Sequence, residues 1–198
     1  MTNETLVTYL EKALENQMNE YDFALDWSKA NRSIKISVRL FAENQKQVAF
    51  EDAGQVVSQE EILEFEDAAL FFGQSNESTV NKGNYFTTIA FDEKKGLEKG
   101  IIDAFATSLK EMMDNSQEKF LDFVEETTLV SGMVGLNDEE IKAYFTSLSD
   151  DQQDKLLKAL EKEELTFEFV FDQKTFEEQV EKNLQTEDGQ VILTYPLY

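Results

Sequence analysis

Ile34-Lys35-Ile36-Ser37-Val38-Arg39-Leu40 places an apolar side chain at every second position and a polar one between. Strand side chains alternate between two faces, so Ile34, Ile36, Val38 and Leu40 turn toward a core while Lys35, Ser37 and Arg39 share the opposite side. A period of two held this long requires a sheet. Just upstream, Phe23, Leu25 and Trp27 alternate with Asp22, Ala24 and Asp26. The polar run Ser28-Lys29-Ala30-Asn31-Arg32 joins the two stretches as a hairpin.

Outward from this hairpin the period changes. Leu6, Tyr9 or Leu10, Leu14 and Met18 recur at three-to-four spacing, which predicts an amphipathic helix over 5–20. A short strand is expected over 47–50, then a turn at Glu51-Asp52-Ala53-Gly54. Residues 62–72 begin an alternation that slips near Glu66-Asp67, as a bulge would make it. A polar loop over 73–84 precedes a strand in which Tyr85, Thr87, Ile89 and Phe91 share a face. After Gly96, the stripe Leu97, Ile101, Phe105, Leu109 and Met112 predicts a helix that breaks at Asn115-Ser116 and resumes through Phe120, Leu121 and Val124.

Periodicity lapses around Gly132 and Gly135, which makes this segment the expected hinge. Beyond it, Asn137 with Glu140 and Ser149 with Gln152 have capping-box spacing, predicting two short helices with the apolar sets Ile141, Tyr144, Phe145, Leu148 and Leu156, Leu157, Leu160. Phe167, Phe169 and Phe171 alternate as a strand, 175–184 reads as a helix, and Asp188-Gly189 turns into a strand over 191–195. The expected fold is α+β: an antiparallel sheet of about four to five strands packed against amphipathic helices, with a small mixed α/β C-terminal part. The expected division is residues 1–130 (helix, antiparallel strands, helix) and 131–198 (α-α-β-α-β), the second part either separate or packed on the first as one unit.

Composition excludes several chemistries. The 198 residues contain no His and no Cys, which removes Ser-His-Asp and Cys-His nucleophiles, imidazole metal sites and disulfides. Gly96-Leu97-Glu98-Lys99-Gly100 lacks the spacing of a phosphate-binding loop. No catalytic residue, cofactor-binding residue or metal ligand is therefore assigned, no cofactor is expected, and the chain is not expected to be an enzyme. A net charge of −23 repels nucleic-acid backbones and anionic lipid. No run is long and apolar enough to span a membrane, and the N-terminus has no secretory pattern, so a cytoplasmic location is expected. Asp22 with Asp26, Glu60 with Glu61 and Glu64, and Asp138 with Glu139 are candidate carboxylate groups, but 41 acids produce such clusters by chance. Trp27 with Phe71 and Phe72 fits either a ligand pocket or plain core.

One region departs from the average charge. Residues 29–49 carry Lys29, Arg32, Lys35, Arg39 and Lys46 against Glu43, a net +4. Lys35, Arg39, Arg32 and Lys29 form the candidate interaction surface. Two readings stand side by side: neutralisation within the sheet, with Glu64 or Glu66 across from the cations, or an open basic face that receives an acidic segment, including one from a second copy.

Tyr21-Asp22-Phe23-Ala24-Leu25-Asp26-Trp27, the strand after it, 64–72 (Glu-Phe-Glu-Asp-Ala-Ala-Leu-Phe-Phe) and the helix entry Lys94-Lys95-Gly96-Leu97 resemble an uncharacterised family of small acidic Firmicutes proteins, domain of unknown function 3013, over about residues 1–125. The resemblance implies a bacterial cytoplasmic protein and brings no activity or site with it. The element order of the first part is also similar to type III secretion chaperones, an analogy of topology that raises the expectation of protein binding slightly.

The leading functional expectation is a non-catalytic acidic protein-binding module, an adaptor or chaperone-like factor. The alternatives are a nucleic-acid-mimicking inhibitor of a basic protein and a carboxylate- or Mg-dependent enzyme. The expected partner is another protein, with no direct nucleic-acid or membrane contact; a homodimer is left open.

Overall fold

In the computed structural model, which describes residues 4–186 and 194–196, the hairpin consists of β1 (Asp22–Ser28) and β2 (Ser33–Glu43), antiparallel, with Leu25 across from Ile36 and Trp27 across from Ile34. Two further strands, β5 (Ile62–Gly73) and β6 (Thr87–Phe91), complete a sheet of order β1-β2-β5-β6. Short strands β3 (Phe50–Glu51) and β4 (Val57–Ser58) pair as a separate hairpin. The short strand expected over 47–50 is thus reduced to its last residue, because Gln47 sits in a turn at φ 48°.

At one end of the β2–β5 pair, Gly73 N–H donates to Arg32 C=O (3.0 Å), and at the other Asn44 N–H donates to Glu61 C=O (2.7 Å). Both bonds fit one antiparallel register, which leaves no net extra residue in either strand where a bulge was expected. Alternation in β5 is lost for another reason: from Ala68 onward every residue is buried, so both faces of the strand are covered. Phe71 meets Phe105 edge-to-face at 4.8 Å on one side. On the other, the Lys82 ammonium lies 5.9 Å over the Phe72 ring.

The sheet is mixed where an antiparallel one was expected, since β5 and β6 run parallel, with Phe71 beside Ile89 and Gly73 beside Phe91. A parallel pair cannot be closed by a tight turn and needs a crossover of about a dozen residues. The polar stretch after Gly73 serves as that crossover and forms two 3₁₀ turns, Gln74–Thr79 and Lys82–Asn84.

Five helices lie among the described residues: α1 (Leu6–Gln17), α2 (Lys99–Ser131), α3 (Asp138–Ser147), α4 (Asp150–Leu160) and α5 (Gln173–Thr186). Helix α1 starts on a capping box between Thr5 and Thr8 and buries Leu6, Leu10 and Leu14 as its spacing predicts. Helix α2 runs unbroken through Asn115-Ser116. The propensity cost of Asn and Ser is below about 1 kcal/mol each, and buried Met112, Met113 and Phe120 anchor the helix on both sides of Ser116, itself buried. Leu97, expected at the helix start, instead lies in β7 (Leu97–Glu98), paired antiparallel with β8 (Thr194–Tyr195). Of the strand expected over 191–195, residues 191–193 lie outside the described residues, as does the Asp188-Gly189 turn.

The chain folds into two compact units, each discontinuous in sequence: residues 1–40, 66–116 and 169–198 form one, and residues 41–65 and 117–168 the other. The first unit's core joins Ile34, Ile36, Val38, Phe71 and Phe91 of the sheet with Ile102, Phe105 and Leu109 of α2. Phe171 extends this core through ring contacts with Phe86, Phe105 and Phe176. The second unit has its own aromatic cluster, in which Phe167 packs on Phe65 at 4.9 Å, on Phe120 at 5.0 Å and on Phe123 at 6.3 Å. Phe167, Phe169 and Phe171 alternate in burial as a strand would, and among the described residues the segment belongs to no strand.

Gly132 belongs to a hydrogen-bonded turn between α2 and α3 inside the second unit, with Gly132 N–H donating to Thr128 C=O and Met133 N–H to Val130 C=O. A methyl group there would strike the Tyr144 ring, so the glycine permits close packing. Both capping boxes form as spelled: the Asn137 side chain accepts from Glu139 and Glu140 N–H, and Ser149 accepts from Gln152 N–H.

Candidate functional site

The four cations singled out in the sequence lie in the first unit, and each has a partner. Arg39 stands across from Asp22 in the β1–β2 register. Its Nε donates to Glu66 at 2.7 Å and its guanidinium to Asp22 at 3.1 Å. Lys35 stands across from Asp26 and reaches Glu66 at 4.0 Å. Arg32 lies 3.7 Å from Glu93, a carboxylate that also accepts from Ser75. The Ser75 hydroxyl and Arg32 together hold Glu93 below the usual carboxylate range. Lys29 likewise has a partner. The basic strand is therefore the middle of a charge ladder, Asp22–Arg39–Glu66, and Glu66 is one of the two acids expected to supply the counter-charge.

The aromatic group does not converge. Trp27 is 38% exposed in the outermost strand of its sheet, whereas Phe71 and Phe72 are buried on opposite faces of β5. Asp67, on the face shared with Phe71, is pushed above its ordinary range by burial, against the Ala68 N–H and Lys35, which pull it down. Among the described residues, no group of three or more acids is arranged to hold a metal ion.

A pair of Tyr-Asp-Lys clusters fastens the first unit. Tyr9 hydroxyl donates to Asp103 at 2.6 Å, and Lys99, one turn earlier on α2, donates to the other oxygen at 2.5 Å. Eleven residues on, three helical turns later, the set repeats: Tyr21 donates to Asp114 at 2.6 Å and Lys110 to the same oxygen at 2.6 Å. Each ammonium also lies over its tyrosine ring, at 5.5 and 5.3 Å. Burial and the Asp103 carboxylate push the Tyr9 phenol up to about 12. The Asp103 bond raises Lys99 in turn. These carboxylates are engaged by their own helix and a tyrosine: the Tyr9 cluster ties α1 to α2, and the Tyr21 cluster ties the segment between α1 and β1 to the same helix. Beside Tyr9 a polar groove of about 310 Å³ runs between the same two helices, lined by Asn16, Gln17, Asp103 and Thr107.

The second unit presents a different surface. Helices α3 and α4, joined through Leu148 and the Ser149 cap, enclose an apolar groove of about 340 Å³ lined by Met133, Ile141, Phe145, Leu156, Leu157 and Leu160. Lys142 and Thr146 are its polar lining residues. Leu157 and Leu160 are each 51% exposed, which keeps the groove open to solvent. The walls are firmly placed. Lys155 of α4 is gripped by Glu125 at 2.5 Å and Asp122 at 3.1 Å on α2, and both bonds hold its ammonium well above the ordinary range. Lys162 pairs with Glu126 at 2.6 Å. Tyr144 hydroxyl donates to Leu129 C=O at 2.9 Å, fixing α3 to the end of α2. In the sequence the leucines of α4 fit an ordinary helical apolar set. The available signal was Leu156, Leu157 and Leu160 beside Ala159 on one short helix, an apolar arc wider than one packed face requires.

Residues 1–158 match the family described as protein of unknown function DUF3013. The chain belongs to that family. The DUF3013 match includes α3 and most of α4 and so extends past the residues that carry the resemblance in the sequence. A solved structure, a conserved protein of unknown function from Enterococcus faecalis, is 31% identical with a TM-score of 0.68; the likeness covers 99% of this chain and 97% of the other. No curated protein matches. No helix among the described residues is long and apolar enough to cross a membrane.

Proposed function

We propose that this DUF3013 protein is a non-catalytic, acidic protein-binding module acting in the cytoplasm as an adaptor or chaperone-like factor, and that the α3–α4 groove is where a partner polypeptide seats its apolar side chains. The observation that carries the reading is the groove itself, with Leu157 and Leu160 each half exposed beside Ile141 and Phe145 in a chain of net charge −23. Apolar surface gathered into a concavity costs solubility, and on a soluble chain it commonly marks an interaction site. The candidate basic strand is less suited to the role, because its cations are occupied by Asp22, Glu66 and Glu93.

The test places a photo-crosslinking residue at position 157, with a control at the exposed Glu11, and identifies the crosslinked peptides by mass spectrometry. A peptide with apolar residues captured at 157 and not at 11, lost in the Leu160→Gln background and retained in 0.5 M salt, supports the reading. The nucleic-acid-mimic alternative predicts capture that survives Leu160→Gln and disappears in salt. That outcome, or no capture at 157, overturns the groove reading.

A further inference from the structure

Resting on that reading, the geometry points to one class of occupant: we propose that the groove receives an amphipathic α-helix whose flanks are cationic. Backbone decides the conformation. The groove is walled by two helices, whose main-chain donors and acceptors are used internally apart from their ends. A segment buried there must satisfy its own N–H and C=O groups. An extended peptide does so by adding to a sheet edge, which this groove does not offer, whereas a helix arrives with its bonds already made. The lining has matching spacing: Ile141 and Phe145 on α3 and Leu156 and Leu160 on α4 are each four residues apart, so both walls offer ridges one turn long.

Charge selects the flanks. The exposed surfaces of the wall helices and their continuation carry Asp138, Glu139, Asp150, Asp151, Asp154 and Glu161. Lys155 and Lys162 are neutralised by the carboxylates of α2, and Lys142, in the groove lining, and Lys158 offset only two of these acids, to which Glu140 adds another. What surrounds the apolar strip is therefore an excess of negative charge, complementary to a helix bearing Lys or Arg beside its apolar stripe. A second copy of this chain would bring −23 of its own and is disfavoured as the occupant.

The experiment uses the full chain and three labelled eighteen-residue peptides of Leu with Lys or Glu, followed by fluorescence anisotropy. The first has Leu and Lys at helical spacing, the second replaces each Lys by Glu, and the third alternates Leu and Lys with a strand period. Each is titrated into the native chain and into Leu157→Gln/Leu160→Gln, which keeps charge and helix propensity while removing the apolar wall; circular dichroism checks that the variant retains its helix content. The expected result is at least tenfold tighter binding of the helical Lys peptide than of the other two, and at least a tenfold loss in the variant. If the Glu or the alternating peptide binds as well, and that binding depends on Leu157 and Leu160, the groove reading stands and the cationic-helix proposal falls. If no peptide binds below 100 μM (~10⁻⁴ M, about −5.5 kcal/mol), or the variant binds equally, both fall. Sedimentation of the chain alone adds the remaining arm: a dimer that dissociates in the double variant would make a second copy the occupant and overturn the proposal.

Discussion

Reversing the charge of Arg39 should destabilise the protein by an amount that the Asp22–Arg39–Glu66 ladder allows one to bound. Arg39 makes contacts of 2.7 Å to Glu66 and 3.1 Å to Asp22, and its side chain is 34% exposed. Two unit charges about 4 Å apart gain roughly 4 kcal/mol at an effective dielectric constant of about 20. Side-chain ordering and solvent screening reduce exposed pairs to about 0.2–1 kcal/mol each. With two pairs in directly opposed cross-strand positions, Arg39→Met should cost about 1–2 kcal/mol. Arg39→Glu places three carboxylates in one row and should cost about 2–3 kcal/mol, since like charges opposite one another are unfavourable by amounts similar to the lost attraction. Arg39→Lys keeps the charge without the fork that serves two carboxylates at once, and should fall between native and Met. For a urea m-value of about 2 kcal/mol/M, the midpoint moves down by roughly 0.5–1 M for Met and 1–1.5 M for Glu. In 0.5 M NaCl the Debye length falls to about 4 Å, and the gap between Met and Glu should narrow. A Glu variant whose midpoint lies within about 0.2 M of native, or a gap indifferent to salt, would refute the ladder as a stabilising device and return Arg39 to the role of an open contact residue.

Tyr9→Phe should lower stability at pH 8 by about 1 kcal/mol, a charge-assisted hydrogen bond discounted for partial exposure. Because folding holds the Tyr9 phenol protonated up to about 12 against 10.0 ordinarily, its contribution is complete below pH 10 and is lost between pH 10 and 12; the Phe variant should lack this loss in alkaline denaturation curves. Gly132→Ala should cost about 1–3 kcal/mol by displacing the Tyr144 ring, visible as a fall in Tm of roughly 2–4 °C per kcal/mol; an unchanged Tm would mean the turn has slack. Asp67→Asn should raise stability at neutral pH and leave it little changed in acid. Burial raises this carboxyl in the folded state, so ionising it costs stability as pH climbs through its folded value, and the amide has no charge to desolvate.

Where one physical signal dominated, the sequence was a sufficient guide. Ile34 to Leu40 alternate because one face of β2 is core, and Asn137 and Ser149 cap helices because each faces free N–H groups with an acid or amide three residues on. The differences share a cause: tertiary packing decides what a local pattern does not record. The parallel direction of β6 depends on where the chain returns after Gly73, and no alternation records direction. The continuity of α2 through Ser116 depends on buried neighbours on either side. Phe167, Phe169 and Phe171 have strand periodicity because alternate rings pack on Phe65, Phe86 and Phe105, a pattern that records burial rather than pairing. Lys35 and Arg39 of β2 stand out in the sequence as an anomaly of charge, but only the register places Asp26 and Asp22 opposite them.

The groove was hidden for a related reason, and that reason bears on how the net charge works. Leu156 and Ala159 are buried while Leu157 and Leu160 are half exposed, so α4 carries a wider apolar arc than its own fold uses. A hydrophobic count cannot separate the arc that closes a core from the arc that is left over. On a neutral chain such a surplus would invite copies to associate through it. On a chain of −23, two copies approaching groove to groove must bring like charges within a Debye length of about 8 Å at physiological salt. The acidic surface thus allows an apolar groove to stay open in solution, and under the proposal made for it the same field attracts a cationic helix. Raising salt should therefore have opposite effects on the two associations, weakening the Lys-peptide complex while relaxing the barrier to self-association. An apolar groove without this electrostatic guard would show salt strengthening both.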